Sequence, residues 1–253
     1  MATLAGAGPA TALRLGASML ALQASIGALN DLVDAGADTS RKPGKPIPRG
    51  AVRFGEAAAL VVIAAATGLL LSAISGPATL AAAVGGLACG YLYDLRLSRT
   101  PWSWLPLAIG LPILPIHAWL GARGEVPPGL LWLVPLGILA GAALSLGNGL
   151  VDAERDAASG RRSAVVLAGR ERAWLAHAAG LVIVLGLAWW LGPRPAGLAA
   201  PWTAALAAGS GLVVAGMALA RAVRPALRER GWELEAIGVA IVGAAWIAGL
   251  AGA

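Results

Sequence analysis

Asn30-Asp31-Leu32-Val33-Asp34-Ala35-Gly36-Ala37-Asp38 is echoed later in the chain by Asn148-Gly149-Leu150-Val151-Asp152-Ala153-Glu154-Arg155-Asp156. The common skeleton is Asn-x-x-x-Asp-x-x-x-Asp. Steps of four along a helix keep the Asn and both Asp residues on one face, about a turn apart. Each copy follows directly on a long apolar run. The chain therefore sets two carboxylate clusters at matching ends of two apolar helices, where charge is expensive. Such clusters call for a cation.

Working outward, the chain is 58% hydrophobic and only 13% charged, with mean hydropathy +0.75. A soluble domain usually carries about 25% charged residues. Apolar runs of about 20 residues are read as membrane helices. Eight are expected: Pro9–Leu29, Glu56–Ser75, Pro77–Tyr93, Trp102–Leu120, Gly129–Leu150, Glu171–Leu191, Gly197–Ala220 and Leu234–Gly252. The runs do not alternate apolar with polar as barrel strands do, and Ala and Leu favour helix. The many small residues allow close helix approach. The fold class expected is an all-α membrane protein, a bundle of eight helices with a central cavity. Four crossings separate the two motif copies. They thus lie on parallel helices of a single domain built as two four-helix repeats, about 9–122 and about 129–253, related by an axis along the membrane normal.

The net charge of +6 is distributed as topology charge, not as a nucleic-acid surface. Loop one holds Arg41, Lys42, Lys45, Arg49 and Arg53; loop three holds Arg96 and Arg99. Loop five holds Arg155, Arg161, Arg162, Arg170 and Arg172, and loop seven holds Arg221, Arg224, Arg228 and Arg230. The even loops carry only Arg123 and Arg194. The positive-inside rule then puts both acidic clusters on the cytoplasmic side of a multi-pass cell-membrane protein, with both termini outside. No basic segment precedes the first run, as a secretory signal would require. Cys89 is the single cysteine, so no intrachain disulfide forms, and no Cys/His cluster offers a zinc site.

Asp31, Asp34, Asp38, Asp152 and Asp156 converge if their two helices are neighbours. Two carboxylates about 4 Å apart repel by about 4 kcal/mol at an effective dielectric near 20. A hard divalent cation removes the conflict. Mg²⁺ takes oxygen ligands, usually one or two carboxylates with water and substrate phosphates. Asp34, Asp38, Asp152 and Asp156 are therefore the expected metal-binding and catalytic residues. Asn30 and Asn148 can add an amide oxygen or orient a ligand. Lys45, Arg49, Arg53, Arg161 and Arg162 suit diphosphate oxygens that the metal leaves free. A site that binds diphosphate at the rim and is apolar below suits a polyisoprenyl diphosphate, and metal bound to the leaving group eases C–O ionisation.

These residues resemble the UbiA superfamily of intramembrane prenyltransferases. Asn30, Asp34 and Asp38, with Asp31, resemble its first motif, NxxxDxxxD. Asp152 and Asp156 resemble its second, DxxxD. Lys45-Pro46-Ile47-Pro48-Arg49-Gly50 is similar to the basic Pro-containing loop after motif one, and Tyr93-Asp94-Leu95-Arg96-Leu97-Ser98-Arg99 to the YxxxK region. The resemblance implies Mg²⁺-dependent prenyl transfer from a prenyl diphosphate donor to a lipophilic or aromatic acceptor in a membrane lipid environment. Asn30, Asp31, Lys45, Arg49, Tyr93, Arg99, Asn148 and Arg161 are the expected substrate contacts. Family members carry nine helices, and the one they carry ahead of motif one has no counterpart among the eight runs read here. The family lysine falls on Ser98, with Arg96 or Arg99 as substitutes. A terpene cyclase on the same fold, or a lipid-binding or transport protein that keeps the acidic sites, are the alternatives.

Other polar and aromatic residues are read more plainly. Tyr91 and most of the ten Trp residues suit interfacial belts, with Trp102 and Trp104 nearer the mouth of the site. Asp94 suits acceptor deprotonation or pairing with Arg96. His117 and His177 are read as packing residues without matched partners, and Pro112 and Pro115 as bends in the fourth span.

Overall fold

The computed structural model describes residues 1–41, 43–192 and 199–251, without the side chains of residues 40, 41, 199, 200 and 251. Lys42 and Arg194 of the charge pattern lie outside the described residues. So do Gly197 and Gly252, two of the expected span limits.

The described residues form helices and no strands. In chain order these are α1 (Pro9–Arg41), α2 (Phe54–Ala73), α3 (Pro77–Leu95), α4 (Leu105–Arg123), α5 (Pro128–Leu131), α6 (Leu133–Val151), α7 (Ala153–Ala158), α8 (Ala164–Ala168), α9 (Arg170–Leu191), α10 (Ala199–Ala220) and α11 (Pro225–Ala251), with a 3₁₀ turn at Leu97–Arg99. Among them are eight helical segments long and apolar enough to cross a membrane, in keeping with the eight expected spans. Prolines mark several starts: Pro77, Pro128 and Pro225 each sit at a helix's first position, where the missing N–H is no loss. The fifth span is interrupted at Trp132 between α5 and α6. Pro135 explains the break, because it cannot donate to the Leu131 carbonyl.

Two compact units are present. One is Ala2–Arg96 with Ile113–Val126; the other is Leu97–Pro112 with the chain from Pro127 onward. The boundary between them falls inside α4, after Pro112, and one motif copy lies in each unit.

In the first unit, α1 is joined to α2 and α3 by a ladder of buried hydrogen bonds. Ser18 Oγ donates to the Gly68 carbonyl at 2.8 Å and lies 2.7 Å from Ser72 Oγ, which lies 2.9 Å from His117 Nε2. Each hydroxyl has one hydrogen. Ser18 spends its own on Gly68, so Ser72 donates to Ser18, and His117 Nε2–H donates to Ser72. This sets the His117 tautomer and gives the residue the partner that sequence reading did not find. Further along α1, Ser25 Oγ donates to the Val61 carbonyl at 2.7 Å and accepts from Tyr91 Oη at 2.7 Å. Tyr91 is therefore tied to the bundle, not to a membrane interface.

In the second unit, the apolar core gathers Leu136, Ala143, Leu181, Leu185, Leu206, Val213 and Val242 with Trp202 and Trp246. Trp202 is 6% and Trp246 3% exposed, so these two are core residues and not belt anchors. Trp119, at 2%, is likewise buried in the first unit. Helices α10 and α11 touch backbone to backbone. A Cβ on Gly238 would meet the Gly209 carbonyl at 2.5 Å, and one on Gly216 would meet the Gly231 carbonyl at 2.5 Å. Only hydrogen fits at these crossings. Gly238→Leu is expected to destabilise the second unit by about 3 kcal/mol, read as a lower midpoint in detergent unfolding. Gly243→Ala on the same helix, with open space around it, is expected to be neutral or slightly stabilising.

Candidate active site

The first motif lies wholly within α1, as its period requires. The face it presents is compensated from a loop. Lys45 Nζ stands 2.9 Å from Asp31 Oδ1 and 2.6 Å from Asp38 Oδ2, bridging two carboxylates about two turns apart. The loop is built to hold it there. The Arg49 N–H donates to the Lys45 carbonyl at 3.1 Å, the Gly50 N–H to Ile47 at 3.0 Å and the Ala51 N–H to Pro46 at 2.9 Å. Gly50 takes φ +73°, a conformation that glycine adopts without strain. Arg49 itself is exposed.

Burial pulls the Lys45 ammonium pKa down, but the hydrogen bonds and charges of Asp38 and Asp31 outweigh it, and Lys45 ends above its ordinary value. A raised lysine pKa contributes stability in full below the unfolded value, near 10.4, and loses it as pH rises through the folded value. The unfolding midpoint is therefore expected to fall above about pH 10.4, and this alkaline loss is expected to shrink in Lys45→Met. A Lys45→Met profile identical to wild type would show that the bridge contributes nothing.

Asp94 joins the same set. It is 4% exposed, and its Oδ1 accepts from Asn30 Nδ2 at 2.9 Å. Its Oδ2 is buried with no hydrogen-bond partner among the described residues. Asp34 and Lys45 both lie within electrostatic range of it. The bond to Asn30, and not to Arg96, is what sequence reading missed. Its signal was available: Asp94 directly follows Tyr93 in the last turn of α3, where a buried acid needs a partner. Tyr93 is half-buried beside it in sequence.

The second motif is not a continuous helix. α6 stops at Val151, Asp152 takes φ −107° and ψ 10°, and α7 begins at Ala153. One turn survives across the break, because the Asp156 N–H donates to the Asp152 carbonyl at 2.9 Å. Asp152 pairs with Arg155, and Asp156 Oδ1 lies 3.6 Å from Arg161 Nη1. Asn148 is exposed near the end of α6. Arg99 closes the 3₁₀ turn and its carbonyl accepts from the Arg162 N–H at 3.3 Å, which ties loop three to loop five within this unit.

Two features of this unit run against the sequence reading. The charge pattern puts Arg228 in loop seven among the topology charges. It is instead on α11, which starts earlier than the expected Leu234, and it is 1% exposed. Four acceptors make that burial tolerable, as described below. His177 was read as having no partner. Its Nε2 lies 3.0 Å from Glu235 Oε1, with both residues fully buried.

Among the described residues, no three His, Cys, Asp or Glu side chains stand close enough together to hold a metal ion. The donors nevertheless suit a hard cation. Asn30, Asp31, Asp34, Asp38 and Asp94 supply only oxygen for coordination, a buried carboxylate oxygen on Asp94 lacks a hydrogen-bond partner, and a lysine ammonium already supplies positive charge between two of the acids. This is the chemistry of a Mg²⁺ site.

The model of the UbiA prenyltransferase family matches residues 1–234. The chain belongs to the UbiA prenyltransferase family. The apo structure of a UbiA homolog from Aeropyrum pernix K1 is similar at a TM-score of 0.74 and 22% identity, covering 96% of this chain and 92% of that one. A UbiA homolog from Archaeoglobus fulgidus bound to DMAPP and Mg²⁺ is similar at 0.67 and 19% identity, covering 94% and 90%. At these identities the likeness shows the fold. Among curated relatives, the chloroplastic chlorophyll synthase of Oryza sativa subsp. japonica is 30% identical over 160 residues, 58% of this chain and 42% of that enzyme. The chain spans about half the length of the curated relatives it matches. With the eight apolar segments, membership in the UbiA family makes this an integral, multi-pass membrane protein.

Proposed function

We propose that this UbiA family protein transfers a prenyl group from a polyisoprenyl diphosphate to a lipophilic or aromatic acceptor inside the membrane. Each unit carries one acidic motif, and the proposed face for diphosphate binding is the cytoplasmic face of the cell membrane. The observation that carries the reading is the first motif itself: an all-oxygen acidic set at the end of a membrane helix, bridged by Lys45 and joined by buried Asp94. The DMAPP and Mg²⁺ bound to the Archaeoglobus fulgidus homolog support the same donor chemistry.

Asp34, Asp38, Asp152 and Asp156 would hold Mg²⁺. Bound there, Mg²⁺ supplies charge stabilisation to the departing diphosphate. Asn30 holds Asp94 in place through its amide N–H. Lys45, held beside the motif by Asp31 and Asp38, would offer its ammonium to a diphosphate oxygen. Arg49, Arg99 and Arg161 are cations on loops flanking the motifs and would bind the remaining oxygens. Asp31, Tyr93 and Asn148 complete the proposed substrate contacts. The apolar spans below accept the isoprenoid tail.

The test is product analysis by mass spectrometry with purified protein, Mg²⁺, a panel of prenyl diphosphates and a panel of acceptors. A prenylated acceptor formed only with Mg²⁺ is the expected result. A cyclised or hydrolysed prenyl product that forms equally without acceptor would replace transfer by cyclisation. No diphosphate release with any donor would end the enzymatic reading.

A further inference from the structure

The break in the second motif creates a mechanical problem. α6 ends at Val151, and the last carbonyls of a helix have no donors within it. Asp156 then sits on a short helix hinged at Asp152 itself. A carboxylate pair mounted this way would swing unless something holds the turn from behind.

Arg228 holds it. From α11, Arg228 Nη2 donates to the Val151 carbonyl at 3.1 Å and to Glu154 Oε2 at 2.5 Å. Its Nη1 donates to the carbonyls of Val223 at 3.0 Å and Ala222 at 3.3 Å. One planar guanidinium thus spans the end of α6, the start of α7 and the α10–α11 loop. Arg170, at the start of α9, repeats the pattern. It donates to the carbonyls of Arg221 at 2.9 Å and Ala222 at 2.6 Å, and its Nη1 lies 3.6 Å from Glu154 Oε1. Glu154 is thereby held between two arginines.

The place of Glu154 in the motif matters. It stands two residues after Asp152 and two before Asp156. At about 100° per residue, it projects from the side of the turn opposite Asp156. Fixing Glu154 therefore fixes the rotation of α7 about its own axis, and with it the direction of the acids on the other side. Burying an arginine this fully is expensive, and an apolar residue would pack α11 more cheaply. The fork geometry explains the choice, because only guanidinium reaches acceptors on two sides at once.

We propose that Arg228, acting through Glu154 and the Val151 carbonyl, is a positioning residue for the second acidic motif, sharpening its grip on Mg²⁺–diphosphate. The part concerning Mg²⁺–diphosphate rests on the proposed prenyl-diphosphate chemistry; the mechanical part does not. Partners that orient metal ligands typically change affinity or activity by about 10- to 100-fold when removed.

The experiment compares wild type with Arg228→Met, Glu154→Gln and Arg230→Met as purified full-length proteins in nanodiscs. Two readouts are taken: amide hydrogen exchange over residues 152–158, and the Mg²⁺ concentration giving half-maximal thermal stabilisation by geranyl diphosphate. Arg228→Met and Glu154→Gln are expected to speed exchange in that segment and to raise the Mg²⁺ midpoint by about 10-fold or more. Arg230→Met removes only an exposed pair with Glu233 on the same helix and is expected to change neither. Should Arg228→Met fail to fold, Glu154→Gln decides, since Glu154 is more than half exposed and its loss leaves no buried cavity. Exchange and Mg²⁺ midpoint both at wild-type values in Glu154→Gln would overturn the proposal. If wild type shows no stabilisation by Mg²⁺ and geranyl diphosphate, the prenyl-diphosphate reading fails by itself. The exchange data then still judge the clamp, and unchanged exchange in Glu154→Gln overturns it.

Discussion

Asp34→Asn is expected to leave the protein folded and to lower prenyl transfer by roughly a thousandfold, on the basis that charge stabilisation by a bound metal is worth several kcal/mol and each 1.36 kcal/mol is a decade in rate. The change is isosteric and removes one negative charge. Asp34 lies between Asp31 and Asp38, whose charges Lys45 already bridges, and it sits within electrostatic range of buried Asp94. It is the middle acid of the first motif, between two carboxylates that share one ammonium, so removing its charge weakens the set that would face an incoming cation. Asp152→Asn is expected to match it. The informative variant is the double, Asp34→Asn with Asp152→Asn. If both motifs serve one diphosphate, the losses do not multiply, because groups acting as a unit are strongly non-additive. Turnover is measured by product mass spectrometry alongside unfolding midpoints, so that loss of fold is not mistaken for loss of chemistry. Wild-type turnover in either single variant would remove that residue from the site. Losses that multiply would separate the two motifs functionally.

The fold was legible because the membrane imposes it. Runs of about 20 apolar residues have few solutions, and the eight spans follow from length and composition alone. The first motif was legible for a related reason: its period of four is a helix face, and α1 carries it without interruption. The second motif has the same period, yet the chain breaks at Asp152. At that break an arginine from α11 donates to the Val151 carbonyl, a long-range contact that the period cannot show. Arg228 could not be told from Arg224 or Arg230 by sequence, because topology charges and structural charges look alike until burial separates them. Lys45 is similar. Its loop was recognised, but its bridge between Asp31 and Asp38 depends on how the turns around Pro46 and Gly50 fold back. Trp202 and Trp246 were misjudged because nearness to a span end does not reveal which face a ring occupies. Both turn inward to the core.

His177→Leu is expected to destabilise the protein by about 3 kcal/mol, because it leaves a fully buried Glu235 oxygen without its hydrogen-bond partner. The pair sits where α6, α9 and α11 meet. His177 Nδ1 lies 2.8 Å from the Ala143 carbonyl. A carbonyl only accepts, so Nδ1 carries the hydrogen, and Nε2 faces Glu235 Oε1 at 3.0 Å. The surroundings are cut to this shape. A Cβ on Gly147 would meet His177 Cε1 at 2.8 Å, and one on Gly216 would meet Glu235 Cγ at 2.5 Å. Leucine at position 177 would leave Glu235 buried with no partner in an apolar bundle. Glu235→Met is milder, because His177 keeps its carbonyl and loses one hydrogen bond, about 1–3 kcal/mol. Replacing both is expected to recover most of the loss, since two apolar residues leave no orphaned group. Unfolding in mixed micelles gives the four midpoints of the cycle. A double variant as unstable as the two losses added would mean that the residues act separately. His177→Leu within about 1 kcal/mol of wild type, the scale of membrane hydrogen bonds in general, would mean that Glu235 finds water or another donor. The cycle bears on function as well. Gly147 packs on this pair one residue before Asn148, so a loosened pair frees the end of α6 that carries the second motif. The expected sign is a rise in the Mg²⁺ requirement of His177→Leu, restored in the double variant along with stability.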